Sequence, residues 1–130
     1  MNSFLKIVAV RTLGLCSQTL FAAPSYLITH NRTDVESNAF IDGTVRSPYP
    51  TKAHADNSVS WTAVRIACIG HTKNNQCKAL IKMATNTANP VDLDWLNLDL
   101  SSGDINPKFA QSNGYTLVVN GPGEVTITKE

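Results

Sequence analysis

The stretch that decides the fold runs from residue 59 to residue 83 and reads VSWTAVRIACIGHTKNNQCKALIKM. Apolar residues recur at every second position near both of its ends, and this period of two predicts β-strands over 59–69 and 77–83. Near Ala63 the alternation changes phase, which predicts a β-bulge or a strand that crosses between two sheets. The polar segment 70–76 would connect the two strands.

The same alternation recurs C-terminal to this stretch. Over Val91–Leu100, apolar residues alternate with acidic and amide residues, and the adjacent pair Trp95-Leu96 marks a second change of phase. A final hairpin is predicted over Tyr115–Ile127, because two alternating runs flank the turn-forming tripeptide Gly121-Pro122-Gly123.

Shorter strands are predicted nearer the N-terminus, at Tyr26–Thr29 and, more weakly, at Ala39–Val45. Between them and residue 59, the proline-containing segment Ser47–Asn57 is expected to be a loop. Six or seven short strands within residues 23–130 predict one all-β domain. We expect a single antiparallel β-sandwich, immunoglobulin-like or related, with a small β-barrel as the alternative.

Residues 1–22 have the composition of a secretory signal peptide. Two basic residues and no acidic residue lie among the first eleven, and a short apolar run leads to Ala22. Because proline just after the cut is poorly accepted, Pro24 favours cleavage after Ala22 rather than one residue later. The apolar run is too short to span a bilayer, and a lipoprotein box ending at Cys16 is the alternative. We therefore predict a secreted or periplasmic domain over residues 23–130, without a membrane span.

The predicted mature domain has almost no net charge. The chain has 11 Lys and Arg against 10 Asp and Glu, and removal of the two basic residues in the signal leaves nine against ten, a net charge of −1. Nucleic-acid binding depends on a basic patch that neutralises phosphates. The composition therefore argues against a nucleic-acid partner.

Cys68 and Cys77 are the two cysteines that the mature domain would keep. Both belong to the apolar phase of their predicted strands, and an oxidising compartment favours a disulfide between them. The closed loop of about ten residues would stabilise the fold by roughly 2.5–3 kcal/mol. A metal site is the rival interpretation, but it lacks a second Cys or His pair at short spacing. We therefore predict a disulfide that joins two neighbouring antiparallel strands.

Asp92, Asp94 and Asp99 occupy the polar positions of one predicted strand, and Asp104 follows shortly after. Paired carboxylates can bind calcium or serve acid–base catalysis. The EF-hand spacing is absent, however, and acidic residues on a strand also discourage edge-to-edge pairing. We expect a solvated strand face, and whether it binds a cation is left open.

The histidines give no catalytic pattern. His30, His54 and His71 are scattered, and no serine nucleophile motif of the form G-x-S-x-G is present. The sequence therefore predicts a non-enzymatic binding or interaction module without a cofactor. The alternatives are a secreted hydrolase with an Asp/His site and a structural or surface-assembly subunit.

Recognition by such a module is expected in polar loops carried by a rigid strand scaffold. The candidate loops are Pro48–Asn57 and Gly70–Gln76, and the partner would be a protein or a glycan. The candidate interaction residues are His54, His71 and Lys73.

The aromatic residues and one sequence pattern add two further expectations. Trp61 and Trp95 each lie beside a change of phase, and both are predicted to be core residues, the usual position of a large aromatic. An exposed tryptophan would instead favour a carbohydrate or peptide platform. The tripeptide Asn31-Arg32-Thr33 fits the N-glycosylation pattern, which matters only in a host that glycosylates such sites.

Most of the chain after residue 23 resembles small exported proteins of intracellular gamma-proteobacteria that carry a signal peptide. The resemblance implies an exported bacterial β-protein and carries no catalytic signature or site residue over to this chain. It rests on the segments Thr51–His54, Ser58–Trp61, Cys77–Ala84, Asn89–Leu93, Asp99–Ile105 and Asn113–Tyr115.

Overall fold

The computed structural model describes residues 22–130, which form eleven strands and one helix. The expected signal segment, residues 1–22, lies outside the described residues except for Ala22. In chain order the elements are β1 (Tyr26–Asn31), β2 (Ser37–Ile41), β3 (Val45–Arg46), β4 (Ala55–Ser60), α1 (Trp61–Ala67), β5 (Thr72–Lys73), β6 (Gln76–Met83), β7 (Val91–Asp99), β8 (Ile105–Asn106), β9 (Phe109–Ser112), β10 (Tyr115–Gly121) and β11 (Glu124–Lys129). Within residues 22–130, no helix is long and apolar enough to cross a membrane.

The strands form two sheets that pack face to face, so the predicted β-sandwich is confirmed. One sheet has five strands in the order β4-β1-β11-β10-β9, and the other has six, ordered β3-β2-β6-β7-β8 with β5 paired to β6. Every strand pair is antiparallel except β1 and β11, which run parallel. The predicted antiparallel sandwich thus contains one parallel pair. Parallel neighbours need a long connection, and here the rest of the domain supplies it.

The core of the sandwich consists of two apolar clusters. The first joins the β7–β8 side of one sheet to the β9–β11 side of the other, and its buried members are Met83, Leu93, Leu96, Ile105, Ala110, Leu117, Val125 and Ile127. The second lies where α1 covers one end of the sandwich, and its buried members are Ile41, Val59, Trp61, Val64, Cys68, Cys77 and Leu100.

The prediction of one strand over 59–69 is wrong from Trp61 onward, because β4 ends at Ser60 and α1 begins at Trp61. The Ser60 hydroxyl caps the helix by accepting a hydrogen bond from the Ala63 N–H. Trp61, Val64 and Cys68 are buried at helical spacing. The change of phase near Ala63 therefore marks the passage from a strand to a helix.

Cys68 and Cys77 form a disulfide, although not between two strands. Cys68 is the C-cap of α1 and Cys77 lies in β6, so the bond ties the helix end to the six-stranded sheet. The loop predicted over 70–76 contains a two-residue strand, β5, that pairs with β6. Asn74 and Asn75, both at positive φ, make the turn between these strands.

Strand β7 contains the predicted second change of phase as a β-bulge. Its register against β6 passes from Ile81–Asp94 to Lys82–Asp92, which leaves Leu93 as the extra residue. The bulge is thus two residues earlier than predicted. Its effect is that Leu93 and Leu96 both face the core.

Three further predictions concern a strand, a loop and a hairpin. The strand expected over Ala39–Val45 is the hairpin of β2 and β3, and the loop expected over Ser47–Asn57 ends before β4 begins at Ala55. The hairpin of β10 and β11, with its turn at Gly121-Pro122-Gly123, is confirmed.

We predict that replacing both Cys68 and Cys77 by alanine lowers the melting temperature by roughly 10 °C or more. A disulfide that closes a loop of this length contributes about 3 kcal/mol, and each kcal/mol shifts the midpoint of a domain of this size by roughly 4–8 °C. Thermal unfolding followed by circular dichroism tests this, and reduction of the unmodified protein should reproduce the loss. Two free thiols in the denatured, unreduced protein would contradict the prediction.

Candidate binding site on the six-stranded sheet

The outer face of the six-stranded sheet carries a row of large apolar side chains in register. Phe40 of β2 pairs with Leu80 of β6, and Leu80 pairs with Trp95 of β7. Directly paired residues project from the same face of a sheet. Adjacent strands are about 4.8 Å apart, so the row extends across roughly 10 Å. It ends at the Trp95 side chain, which is 43% exposed.

Trp95 was predicted to be a core residue, and this prediction is wrong. The bulge in β7 places Leu96 in the core, so the preceding residue must face outward. Trp61, by contrast, is 5% exposed, and its Nε1 donates to the Leu100 carbonyl at 2.9 Å. The prediction for Trp61 is confirmed.

The indole of Trp95 packs on the backbone of Gly43. A Cβ atom added at Gly43 would lie 2.6 Å from Trp95 Cη2, and Gly43 has φ +80°. Asp42 precedes it, also at positive φ, and the Thr44 N–H donates to the Ile41 carbonyl across the two residues. These are the features of a type I′ turn, which favours Asp-Gly. The turn between β2 and β3 therefore supplies a flat surface beneath the indole.

Polar side chains surround Trp95 in a shallow groove of about 640 Å³. His71 Nδ1 and Asp42 Oδ2 are 2.6 Å apart, which joins the loop before β5 to the β2–β3 turn. The Asn97 amide donates to Gln76 Oε1 on the neighbouring strand. The residues that line the groove are Asp42, His71, Lys73, Asn74, Gln76, Lys78, Trp95 and Asn97.

Cations cover the opposite end of the apolar row. Arg46 Cζ and Lys82 Nζ each lie 5.0 Å from the centroid of the Phe40 ring. Lys82 Nζ also lies 3.6 Å from Asp92 Oδ1. Within this apolar row, the exposed aromatic surface therefore lies at Trp95.

The structure brings together two of the three interaction residues that the sequence predicted. His71 and Lys73 line the groove beside Trp95. His54 does not line it; this residue lies in the loop before β4, where its N–H donates to the Thr33 carbonyl. The sequence prediction missed the exposure of Trp95 and the turn beneath it, although the dipeptide Asp42-Gly43 is a hairpin signal.

The acidic residues of β7 do not converge on a common point. Asp99 accepts hydrogen bonds from the Ser101 hydroxyl and backbone and from the Ser102 backbone, which hold the pKa of its carboxyl below the usual range. Asp104 pairs with Lys108, and this contact likewise lowers the pKa of Asp104. Among residues 22–130, no group of three or more His, Cys, Asp or Glu side chains could hold a metal ion.

Asn31, the acceptor of the possible glycosylation pattern, is fully buried at 0% exposure. Its Nδ2 donates to the carbonyls of Val35, Thr51 and Lys52, and its Oδ1 accepts hydrogen bonds from Thr33. The side chain thus joins the loop before β2 to the loop between β3 and β4. A glycan cannot be attached to Asn31 in this folded structure.

The outer face of the five-stranded sheet carries a separate charged cluster around His30. His30 Nε2 lies 2.6 Å from Glu124 Oε2, and its Nδ1 lies 2.8 Å from Asp56 Oδ1. Arg32 also contacts Asp56, at 2.9 Å. Hydrogen bonds to Glu124 and then to Asp56 raise the pKa of His30, and the hydrogen bond to His30 is the main cause that lowers the pKa of Asp56.

Comparison with known proteins agrees with the fold and with export. The family model described as the T2SS substrate NttC matches residues 1–130. The chain belongs to this family. The NttC type II secretion system substrate from Legionella pneumophila, whose crystal structure is known, is 59% identical in sequence to this chain. The two structures superpose with a TM-score of 0.82, and the match covers 83% of this chain and all of that one. No curated protein matches the chain.

Membership of the NttC family shows an exported small β-protein, which confirms the resemblance to exported proteins of gamma-proteobacteria at that level. It names no ligand.

We predict that the His30 cluster stabilises the fold most in mildly acidic solution. Because the folded pKa of His30 is raised above 6.5, its contribution is complete below that pH and is lost as the pH rises through the folded pKa. The contribution of Asp56, whose pKa is lowered, is present above pH 3.8 and is lost as the pH falls through the folded pKa. The difference in melting temperature between the wild type and His30→Gln should therefore be largest near pH 5–6 and shrink by pH 9.

His54→Gln is the matched control, since it removes a histidine from an exposed loop. A His30→Gln difference that grows with increasing pH would contradict the sign of this effect.

Proposed function

We propose that this exported protein is a non-enzymatic binding module that recognises carbohydrate in the groove around Trp95. The observation that carries the proposal is the exposed indole, fixed on the Gly43 backbone and surrounded by hydrogen-bonding side chains. Tryptophan is also among the residues enriched in the hot spots of protein–protein interfaces, which shows how much binding energy one exposed indole can supply.

The chemistry of the groove favours a sugar over an apolar peptide. The face of an aromatic ring is electron-rich, so it attracts the polarised C–H groups that a pyranose ring presents on one face. Hydroxyl groups at the sugar edge need both donors and acceptors, and the amides of Gln76 and Asn97 supply both. The groove volume of about 640 Å³ is in the range of small-molecule sites.

A hydrolase is the second candidate, because the pair of Asp42 and His71 lies in the same groove. A carboxylate that orients a histidine is one part of a nucleophilic site. In the described chain, however, no hydroxyl or thiol hydrogen-bonds to the His71 ring, and the thiols of Cys68 and Cys77 are joined in the disulfide. This pattern supports binding more than hydrolysis.

Surface assembly has less support from the sheet edges. A strand that recruits another chain is usually long and apolar at its edge. Here β4 carries Asp56, Asn57 and Ser58, β3 and β8 have two residues each, and β9 has four residues, of which Gln111 and Ser112 are polar.

For delivery, we propose that residues 1–22 act as a signal peptide and that the type II secretion system then exports the domain. The similarity to a solved substrate of that system supports this route.

Binding to a glycan array by the purified protein tests the proposed function. We expect binding to pyranose-containing glycans and a loss of about 30-fold in affinity for Trp95→Ala, which corresponds to about 2 kcal/mol for a dominant aromatic residue. Absence of binding to any glycan would contradict the proposal. Release of reducing ends that depends on His71 would favour the hydrolase instead.

Two glycine variants distinguish the effect of displacing the indole from the effect of backbone strain. Gly43→Ala and Gly114→Ala both place alanine at positive φ, +80° and +87°, but nothing lies within 4 Å of the new Cβ at Gly114. Both should lower the melting temperature, because alanine disfavours this conformation. Only Gly43→Ala should weaken glycan binding, since it displaces the indole. Equal binding by the two variants would show that the position of Trp95 is irrelevant.

A further inference from the structure

The interior of the sandwich holds a second feature, a cavity of about 130 Å³. Its lining includes members of both core clusters and therefore runs between them. Its walls are mostly apolar and come from both sheets and from α1. Representative wall residues are Leu27, Ala39, Ile41, Ala79, Ile81 and Leu98.

Small side chains create this space. Two packed sheets lie about 10 Å apart, and large inward side chains normally fill the gap between them. Ala39 of β2, Ala67 of α1 and Ala79 of β6 line the cavity instead. Protein interiors contain few voids larger than a water molecule, because an unfilled apolar cavity reduces stability.

One side of the cavity is polar and leads toward the loop between β3 and β4. Ser47, Tyr49 and Asn57 line it there. The Asn57 amide donates to the carbonyls of Tyr49, at 3.3 Å, and Pro50, at 3.4 Å, so the loop is tied to β4 by two long hydrogen bonds. Tyr49 is exposed.

We propose that this cavity is a binding site for a small apolar group, a hydrocarbon chain end or ring of about six carbons. An apolar cavity of about 150 Å³ stays dry and binds benzene, so the volume here suits a group of that size. A polar end of the ligand would face Asn57 and Tyr49. The cavity is separate from the groove at Trp95. The groove lies on the outer face of the six-stranded sheet, whereas the cavity lies on its inner face.

Nuclear magnetic resonance titration of the protein with benzene, and separately with hexanoate, tests the proposal. We expect saturable shifts of backbone amides around the cavity with at least one probe. Benzene alone would identify a ring as the occupant, and hexanoate would identify a chain end. Saturable shifts with neither probe, or shifts confined to the outer groove, would overturn the proposal.

Cavity-filling variants show whether the internal space is what binds. Ala79→Leu should abolish the saturable shifts while preserving or raising the melting temperature of the free protein. Ala88→Leu, at an exposed position, makes the same change elsewhere and should bind as the wild type does. If Ala79→Leu does not fold, Ala79→Val should weaken binding by a smaller factor. Unchanged binding in a folded cavity-filling variant would overturn the proposal.

Discussion

The β-bulge at Leu93 determines which side chains of β7 enter the core and which reach the surface. A strand presents alternate residues to opposite faces, so one extra residue reverses the assignment for everything that follows. With the bulge, Leu93 and Leu96 both enter the core, and Trp95 projects outward beside Leu80. The apolar row on the outer face and the groove around the indole therefore both depend on this irregularity.

At the end of the sandwich, α1 is held by two hydrogen bonds and by the disulfide. The Leu100 carbonyl accepts hydrogen bonds from Trp61 Nε1 and from Arg65 Nη2, at 2.9 and 3.0 Å. The disulfide then fixes the C-terminal end of the helix to β6. The same attachment positions the backbone that leads to His71, whose N–H donates to the Cys68 carbonyl. The helix thus covers one end of the core and also places one side of the groove.

The alternation of apolar residues was sufficient to predict the sandwich, β6 and the final hairpin, because these strands have a clear inward face. It could not identify α1, since a helix of seven residues shows only two turns of periodicity, and Val64 and Ile66 also suit strands. The serine at position 60 was the available signal. Trp95 could not be assigned from alternation alone, because the adjacent apolar residues Trp95 and Leu96 do not reveal which one faces the core, and the bulge that decides it lies earlier, at Leu93. His71 and Lys73 could be proposed from the sequence because they lie in a polar loop on a strand scaffold, whereas the contact between His71 and Asp42 joins loops distant in sequence.

The two tryptophans have opposite environments, since Trp61 is buried and Trp95 is exposed. Acrylamide quenching of intrinsic fluorescence, compared between the wild type and Trp95→Phe, measures this directly. The wild type should have one readily quenched component, and this component should be missing in Trp95→Phe, whose remaining emission from Trp61 should be weakly quenched. Equal and weak quenching in the two proteins would place Trp95 in the core and contradict the bulge, the groove and the proposed recognition surface.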